Sequence, residues 1–368
     1  MNEWLGEEKK VCIGPHHPVT RGGMNFIASL DGETLRQAIP EIGYCHRSLE
    51  KIAENTDYQG FTTYASQADP LSPYSCQWSY VMAVEKLAEI TVPRRAEFLR
   101  VIAMELNRIT SHLHFLSFMA EIIGAKILKA QSFKRAEIFS HYTTTFCGND
   151  NMFLQIGGVV RDLCSSDWET TLIQFLDHLK TFIDEYSYTL KNNYVFQRQL
   201  SFTGVISVEE AIQYNLVGPN LRASGLAWDL RKNRPYSIYS ELNLEIPTCQ
   251  RNKGDAHDRV QVRIDEIAQS ASLIRQCLEK IPQGPIQCKI TEPIKPKTGE
   301  IYNCIEGVRG DTGTYLVSNG TTQPHRLKLR TGSFSSLALL EKMGREIPLS
   351  DYLTLIASLD ISPWEADR

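Results

Sequence analysis

The sequence predicts an α+β protein, mostly α: a helical bundle with small β-sheets near both ends of the chain. Three observations carry this. Residues 93–119 hold apolar side chains on faces too wide for a solvent-facing helix, so this helix belongs at the centre of a bundle. Near the N-terminus, "VCIG" and "MNFIASLDGETL" alternate apolar and polar residues around Asp31-Gly32, a hairpin signal. Residues 285–335 collect Gly, Pro and β-branched residues, the composition of short strands and turns.

Taken in order, residues 10–40 read as paired strands, with the loop "PHHPVTRGG" between the first two. "EIGYCHRSLEKIAENT", 41–56, reads as a short helix, with His46 and Glu50 four apart on one face as a surface pair. A second helix is predicted over 74–91, after the proline-broken loop "SQADPLSPY". Pro93 suits the first turn of the long central helix, because its missing N–H would find no partner there anyway. Further helices are expected over 126–147 and over 167–193, the latter ended by "KNN". Ser207 and Glu210 form a capping box, each able to satisfy the other's free backbone donor. A last long helix covers 258–281, closed by Pro282 and Gly284, and "GTYLVS" and "HRLKLR" are the expected strand pair beyond it. The expected division is an N-terminal β region (1–40), a helical core (41–284) and a C-terminal β and loop region (285–368), integrated into one unit over 10–368.

Composition excludes several functions. The net charge is −4 and no basic run occurs, so nucleic acid is not an expected partner. "MNEWLGEEKK" has neither the order of a signal peptide nor the Arg-rich character of a transit peptide. No stretch of 18 uninterrupted apolar residues is present, so work at a membrane would go through partners. The nine cysteines are scattered without a Cys-x-x-Cys, which reads as reduced cytosolic thiols and gives no zinc or cluster spacing.

The residues alone single out few chemical groups. His112 and His114 are two apart, so on a helix they point away from each other and form no joint ligand set; one packed and one at an interface is the simpler reading. His17 is a proton-donor candidate because histidine titrates near neutral pH, and no third ligand near His16 and His17 suggests a metal. "DLRK" (229–232) and "GDAHDR" (254–259) bring acids and arginines together, either as buried ion pairs or as a polar chain for protons; the sequence leaves both open. No nucleophile elbow, dinucleotide fingerprint or phosphate loop is present.

Ordered motifs go further. "IGPHHPVTRGG", "IGYCHRSLEKIAE", "AVEKLAEITVPRRAEFLRVIAMELNRITSHL", "IGGVVRDL", "VGPNLRASGLAWDLRKNRPY", "GDAHDRVQVRIDEI", "VRGDTGTYLVSNGTTQPHRLKLR" and the terminal "DR" follow one another across nearly the whole chain. Together they resemble the 49-kDa subunit family of respiratory complex I, the NADH-quinone oxidoreductase of the respiratory chain. That family is related to the large subunits of energy-converting (group 4) membrane-bound nickel-iron hydrogenases.

The resemblance implies a nickel-iron-hydrogenase-large-subunit-like helical bundle, inactive alone. It would work within a membrane-bound, ion-translocating NAD(P)H:quinone-type oxidoreductase. The implied partners are a small subunit-B-like protein holding an iron–sulfur cluster, a 30-kDa subunit-C-like protein and subunit-H-like membrane proteins. The quinone or other acceptor would sit between this chain and the cluster-bearing partner, on the cytoplasmic side of the inner membrane. No flavin, nicotinamide or metal would be bound by this chain itself.

In the hydrogenases four cysteines hold the metal; the resemblance places these positions at Asp69, Ser72, Ser362 and Glu365, none of them a thiolate. At the quinone site, Arg21 stands where the family carries a histidine and Pro70, after Asp69, where it carries a tyrosine. The acid that partners the histidine falls at Ile122, beside Glu121. The implied acceptor-cavity candidates are therefore His17, Arg21, Asp69, Pro70, Tyr74 and Glu121. His46 and Arg47 match the cluster-facing "His-Arg", where a positive charge would raise the cluster's potential. Asp255, Asp258 and Arg259 match the family's charged helix start, and Arg309 with Asp311 its "Arg-Gly-Glu". The alternative is a redox-inactive scaffold and coupling subunit in a complex I-like or hydrogenase-related assembly.

Overall fold

The computed structural model describes residues 9–148, 152–249, 251 and 253–368. Most of the N-terminal decapeptide therefore lies outside the described residues. Three strands open the fold: β1 (Lys9–Ile13), β2 (Asn25–Asp31) and β3 (Thr34–Glu41). They form an antiparallel meander, joined later by β9 (Ile347–Pro348) at the free edge of β3. Gly32 turns the hairpin with a left-handed φ of +61°, a conformation glycine reaches without strain.

The helical part follows as α1 (Leu49–Ala53), α2 (Phe61–Ser66), α3 (Pro73–Leu87), α4 (Arg94–Ile122) and α5 (Lys126–Cys147). After the small hairpin β4 (Leu154–Gln155) and β5 (Gly158–Val159) come α6 (Ser166–Asn192), α7 (Tyr194–Leu200), α8 (Val208–Gln213), α9 (Gly218–Ala223), α10 (Leu230–Asn233) and α11 (Ala256–Lys280). A three-stranded meander, β6 (Gly299–Gly307), β7 (Gly310–Ser318) and β8 (Arg326–Arg330), precedes α12 (Gly332–Met343), α13 (Leu349–Leu359) and α14 (Pro363–Ala366).

As its sequence predicts, α4 is the axis: Phe98, Leu99, Val101, Ala103, Met104 and Leu106 are fully or nearly fully buried and point around its whole circumference. The Ser207–Glu210 capping box is formed on α8, with both reciprocal hydrogen bonds. Two expectations need correction. Residues 42–48 are not helical; Ser48 has a left-handed φ of 54°, and the helix is only Leu49–Ala53. His46 and Glu50 consequently make no pair. Glu50 instead accepts from Lys328 Nζ at 2.6 Å and from the Leu329 amide at 3.1 Å, which fastens α1 to β8. The strand pair expected at the C-terminal end exists, and within the same strand-rich stretch β6 adds a third strand, paired with β7 along its full length.

A charged network fills the middle of this core. Glu105 of α4 accepts from Arg108, Arg231, Tyr239 and Ser270. Arg222 of α9 bridges Glu266 at 2.7 Å and Glu306 at 2.8 Å, and His112 bonds the other oxygen of Glu266 at 3.0 Å. Asp229 binds Arg231 at 2.7 Å. "DLRK" is thus a set of buried ion pairs. Three guanidiniums face four carboxylates here, all fully buried (Arg108, Arg222 and Arg231 against Glu105, Asp229, Glu266 and Glu306). The surplus shows on Glu306, which burial and the nearby Asp229 push up to about 7. Replacing Arg222 with Met is expected to lower stability by about 3–5 kcal/mol, because it leaves buried carboxylates without their cation. Chemical denaturation of the two proteins measures this; a loss below about 1 kcal/mol would contradict the network's role.

Candidate functional site

The site is built around the tip of a β-hairpin. Gly307 pairs with Gly310, so Val308 and Arg309 form the two-residue turn between β6 and β7. Arg108 holds that turn by donating to the carbonyls of Glu306 and Gly307, both at 2.8 Å. The backbone at Gly310 presses against Gly218; a Cβ on Gly218 would sit 2.4 Å from the Gly310 Cα, so both positions require glycine. The hairpin thereby drives Arg309 into the core, where it is only 7 % exposed.

Arg309 joins segments that are remote in sequence. Its Nη1 donates to Asp69 Oδ2, and its Nε donates to the Asp360 carbonyl at 2.8 Å. The Asp69 Oδ1 accepts from Ser362 Oγ at 2.8 Å. Asp360, which ends α13 in the left-handed region, takes a hydrogen bond from Arg21. Arg21 lies with its guanidinium 4.8 Å from the Phe118 ring centre on α4. Glu365 is buried and accepts from the Ser333 amide at 3.1 Å. Burial and the Asp69 charge push its carboxyl up to about 7. Asp360 is held low by Arg309 and Arg21 against the opposing effect of burial. The Cys76 thiol, influenced by both Glu365 and Asp69, is pushed well above its usual range by burial.

Beside this cluster opens a cavity of about 340 Å³. The loop before α3 and its first turn supply Pro70, Leu71, Pro73 and Tyr74; α4 supplies Asn107, Thr110 and His114; α5 supplies Ser140, Thr143 and Thr144. Asn107 Oδ1 accepts from Ser72 Oγ at 3.0 Å, tying the cavity wall to the loop. Tyr74 is 2 % exposed and sits against Cys147. Burial lowers the pKa of His114, with Arg21 adding to the effect, so its imidazole is neutral at neutral pH.

Of the residues singled out from the sequence, Pro70 and Tyr74 line this cavity, while Asp69 and Arg21 stand behind it in the ion-pair cluster. His17 is exposed; its Nδ1 accepts from the Val19 amide at 3.2 Å and caps a helical turn. Glu121 is exposed near the end of α4 and pairs with Lys129. Neither His17 nor Glu121 is among the residues lining the cavity. His46 and Arg47 lie in the irregular stretch before α1: His46 Nδ1 contacts the Asp367 carbonyl at 2.7 Å, and Arg47 donates to the Gln67 carbonyl at 2.6 Å. Asp255, Asp258 and Arg259 are buried at the start of α11, where Asp255 is the N-cap and Arg259 bonds Ser358. Sequence reasoning missed Asn107, Thr110 and His114 as a set. Their spacing of three and four residues places them on one face of α4, a polar stripe beside the one that carries Glu105, Arg108 and His112.

Comparison with known proteins decides the family. The family model for "Respiratory-chain NADH dehydrogenase, 49 Kd subunit" matches residues 123–297 and 288–368. This chain belongs to that family. It is 38% identical over 367 residues to a subunit of the NADH-quinone oxidoreductase of Anaeromyxobacter sp. (strain K), covering 98% of this chain and 97% of the relative. It is 39% identical over 363 residues to the corresponding NADH-quinone oxidoreductase subunit of Desulforamulus reducens, covering 98% of each. Among solved structures it superposes on a chain of the membrane-bound sulfane sulfur reductase (MBS), an archaeal respiratory membrane complex. That match has a TM-score of 0.93 and 29% identity, over 98% of this chain and 99% of the other. The sulfane sulfur reductase is bound to a membrane, yet among the described residues of this chain no helix is long and apolar enough to cross one.

The raised carboxyl of Glu365 gives a pH signature. Its ordinary value is 4.5 and its folded value about 7, so the folded state binds the proton more tightly than the unfolded one. Its burial therefore costs nothing below about pH 4.5, costs more as pH rises toward 7, and stays constant above. Glu365→Gln is expected to raise the melting temperature near pH 8, by the equivalent of about 1–3 kcal/mol, and to leave it unchanged near pH 4. Melting curves at both pH values check this.

Proposed function

We propose that this chain is the acceptor-site subunit of a membrane-bound, ion-translocating oxidoreductase of the NAD(P)H:quinone type. The cavity between loop 70–73, α4 and α5 receives the acceptor's head group, with the cluster-bearing partner completing the site. The observation that carries this reading is the cavity's lining. A quinone needs hydrogen-bond donors at its carbonyl oxygens and, with two electrons, takes up two protons to become a quinol. Tyr74, whose hydroxyl also meets Cys147, and His114 can donate at the wall, the Thr110 hydroxyl being spent on the Leu106 carbonyl at 2.9 Å, and the neutral His114 can pass a proton on. Arg21, paired with Asp360, supplies fixed positive charge beside His114 rather than a proton. Asp69 is engaged as an acceptor by Arg309 and Ser362, which suits it to holding the loop.

The relatives, subunits of NADH-quinone oxidoreductases, support the quinone class, and the respiratory membrane complex at 29% identity supports a peripheral place in such an assembly. Electrons would arrive from an iron–sulfur cluster in a small partner subunit; flavin and nicotinamide would belong to other partners. A 30-kDa protein and subunit-H-like membrane proteins complete the proposed assembly, on the cytoplasmic side of the membrane.

The positions that hold nickel and iron in the related hydrogenases do not suit that centre here. Asp69, Ser72, Ser362 and Glu365 offer oxygens in place of soft thiolates, and Arg309 places a cation among them. Hydrogen chemistry is therefore not part of the reading.

The test is quinone reduction by the purified complex carrying Tyr74→Phe or His114→Gln. Turnover is expected to fall about ten- to hundredfold with assembly intact, because each variant removes a donor or proton carrier at the head group. Wild-type turnover in both variants would leave this chain a scaffold and sink the proposal.

A further inference from the structure

A second, larger cavity lies away from the acceptor site, where α7 and the end of α6 meet the start of α11. It measures about 680 Å³, within the range of small-molecule sites. Lys191, Arg198, Arg251 and Lys253 line it, and among the described residues no carboxylate does. The chain as a whole carries more acids than bases, 43 against 39, so this is a local excess of positive charge. Arg251 is partly committed, since it reaches Asp255 at 3.1 Å. Lys253 packs over the Phe202 ring at 4.2 Å. Among the described residues, Lys191 and Arg198 have no carboxylate within ion-pair distance.

A second observation points to a ligand. His257 lines the same cavity and is only 2 % exposed; its Nδ1 faces Asp258, and its Nε2 has no hydrogen-bond partner among the described residues. On the protein side Asp258 lies 3.7 Å from Nδ1, and Asp255 also stands within 4.8 Å of the imidazole, which leaves Nε2 as the nitrogen open to a ligand. A buried donor without a partner costs stability, so a group that occupies the cavity and accepts from it would be favoured. Tyr194 and Phe202 stand at the rim, 74 % and 71 % exposed, and give flat apolar surface next to the cations.

We propose that this cavity binds the phosphate group of an anionic ligand, carried either by a nucleotide or by an anionic phospholipid headgroup. Guanidinium and ammonium groups converging with an imidazole donor are the chemistry that recognises phosphate oxygens. The aromatic rim suits what the phosphate is attached to, a base or the glycerol and upper chain of a lipid. Neither assignment depends on the acceptor site.

The experiment uses the full chain and the Lys191→Ala/Arg198→Ala double variant. Both substitutions are at exposed positions, so folding is expected to be unaffected, and Lys297→Ala serves as a remote control. Three probes are titrated at low salt: pyrophosphate, ADP, and phosphatidylcholine vesicles with or without phosphatidylglycerol. Calorimetry reads the soluble probes and co-sedimentation the vesicles. Binding of pyrophosphate or ADP assigns the nucleotide source; binding of the phosphatidylglycerol vesicles alone assigns the lipid. In either case the affinity should drop about tenfold or more in the double variant and stay unchanged in the control. Binding that is equal in the double variant, or no binding by any probe, overturns the proposal. So does binding of poly-glutamate in the absence of binding by all three, which would make this face a dock for an acidic partner segment.

Discussion

The buried contact of Arg309 with Asp69 and Asp360 is the constraint on which the candidate site depends. A two-residue hairpin turn delivers the guanidinium into the core, and Arg108 fixes that turn from α4. From there it fastens the loop before α3, the end of α13 and, through Asp360, the loop that carries Arg21. Without that cation the Asp69 and Asp360 carboxylates would be left close together in a desolvated interior, an arrangement that costs several kcal/mol per unpaired charge. The shape of the cavity beside Tyr74 follows from this fastening, since Ser72 and Tyr74 continue the chain that Asp69 anchors.

The same charge logic appears twice. In the central network three guanidiniums face four carboxylates, and in the site cluster Arg21 and Arg309 face Asp69, Asp360 and Glu365. In each the surplus carboxyl is pushed up to about 7: Glu306 in one, Glu365 in the other. Arg263 lies between them, 4.0 Å from Asp360 and within the field of Glu266. Burial and a neighbouring carboxylate thus raise two interior carboxyls of this member of a respiratory oxidoreductase family in the same way.

Much of the fold was legible because its signals are local. The periodicity of α4, α5 and α6, the Asp31-Gly32 turn and the Ser207–Glu210 box each lie within a few turns of chain. Residues 42–48 misled because "EIGYCHRSLEK" has helical composition while Gly43 and Ser48 take left-handed conformations. Strand β6 was masked by its polar residues, Glu300, Asn303 and Glu306, of which Glu306 points into the charged network. The site was half legible. The ordered motifs led to Asp69, Tyr74 and Arg309 one by one, but pairing Arg309 with Asp69, or Arg21 with Asp360, needs contacts across hundreds of residues. The polar stripe of Asn107, Thr110 and His114 was readable from spacing, but it lies among other buried polar residues of α4, Arg100, Glu105, Arg108 and His112, that serve ion pairs instead. The loop "SQADPLSPY" now divides cleanly: Asp69 and Ser72 are held by the protein, and Pro70, Leu71, Pro73 and Tyr74 face the cavity.

The proposed occupant of the cavity walled by Tyr74, His114 and Thr143 is the electron acceptor's head group. The most direct measurement is photo-crosslinking of the assembled complex with a quinone carrying a photoreactive group on its head, followed by peptide mapping. Label on the peptides containing residues 70–74 and 107–114, displaced by excess unmodified quinone, is the predicted result. Displaceable label confined to other segments of this chain, or to other proteins of the complex alone, would contradict it.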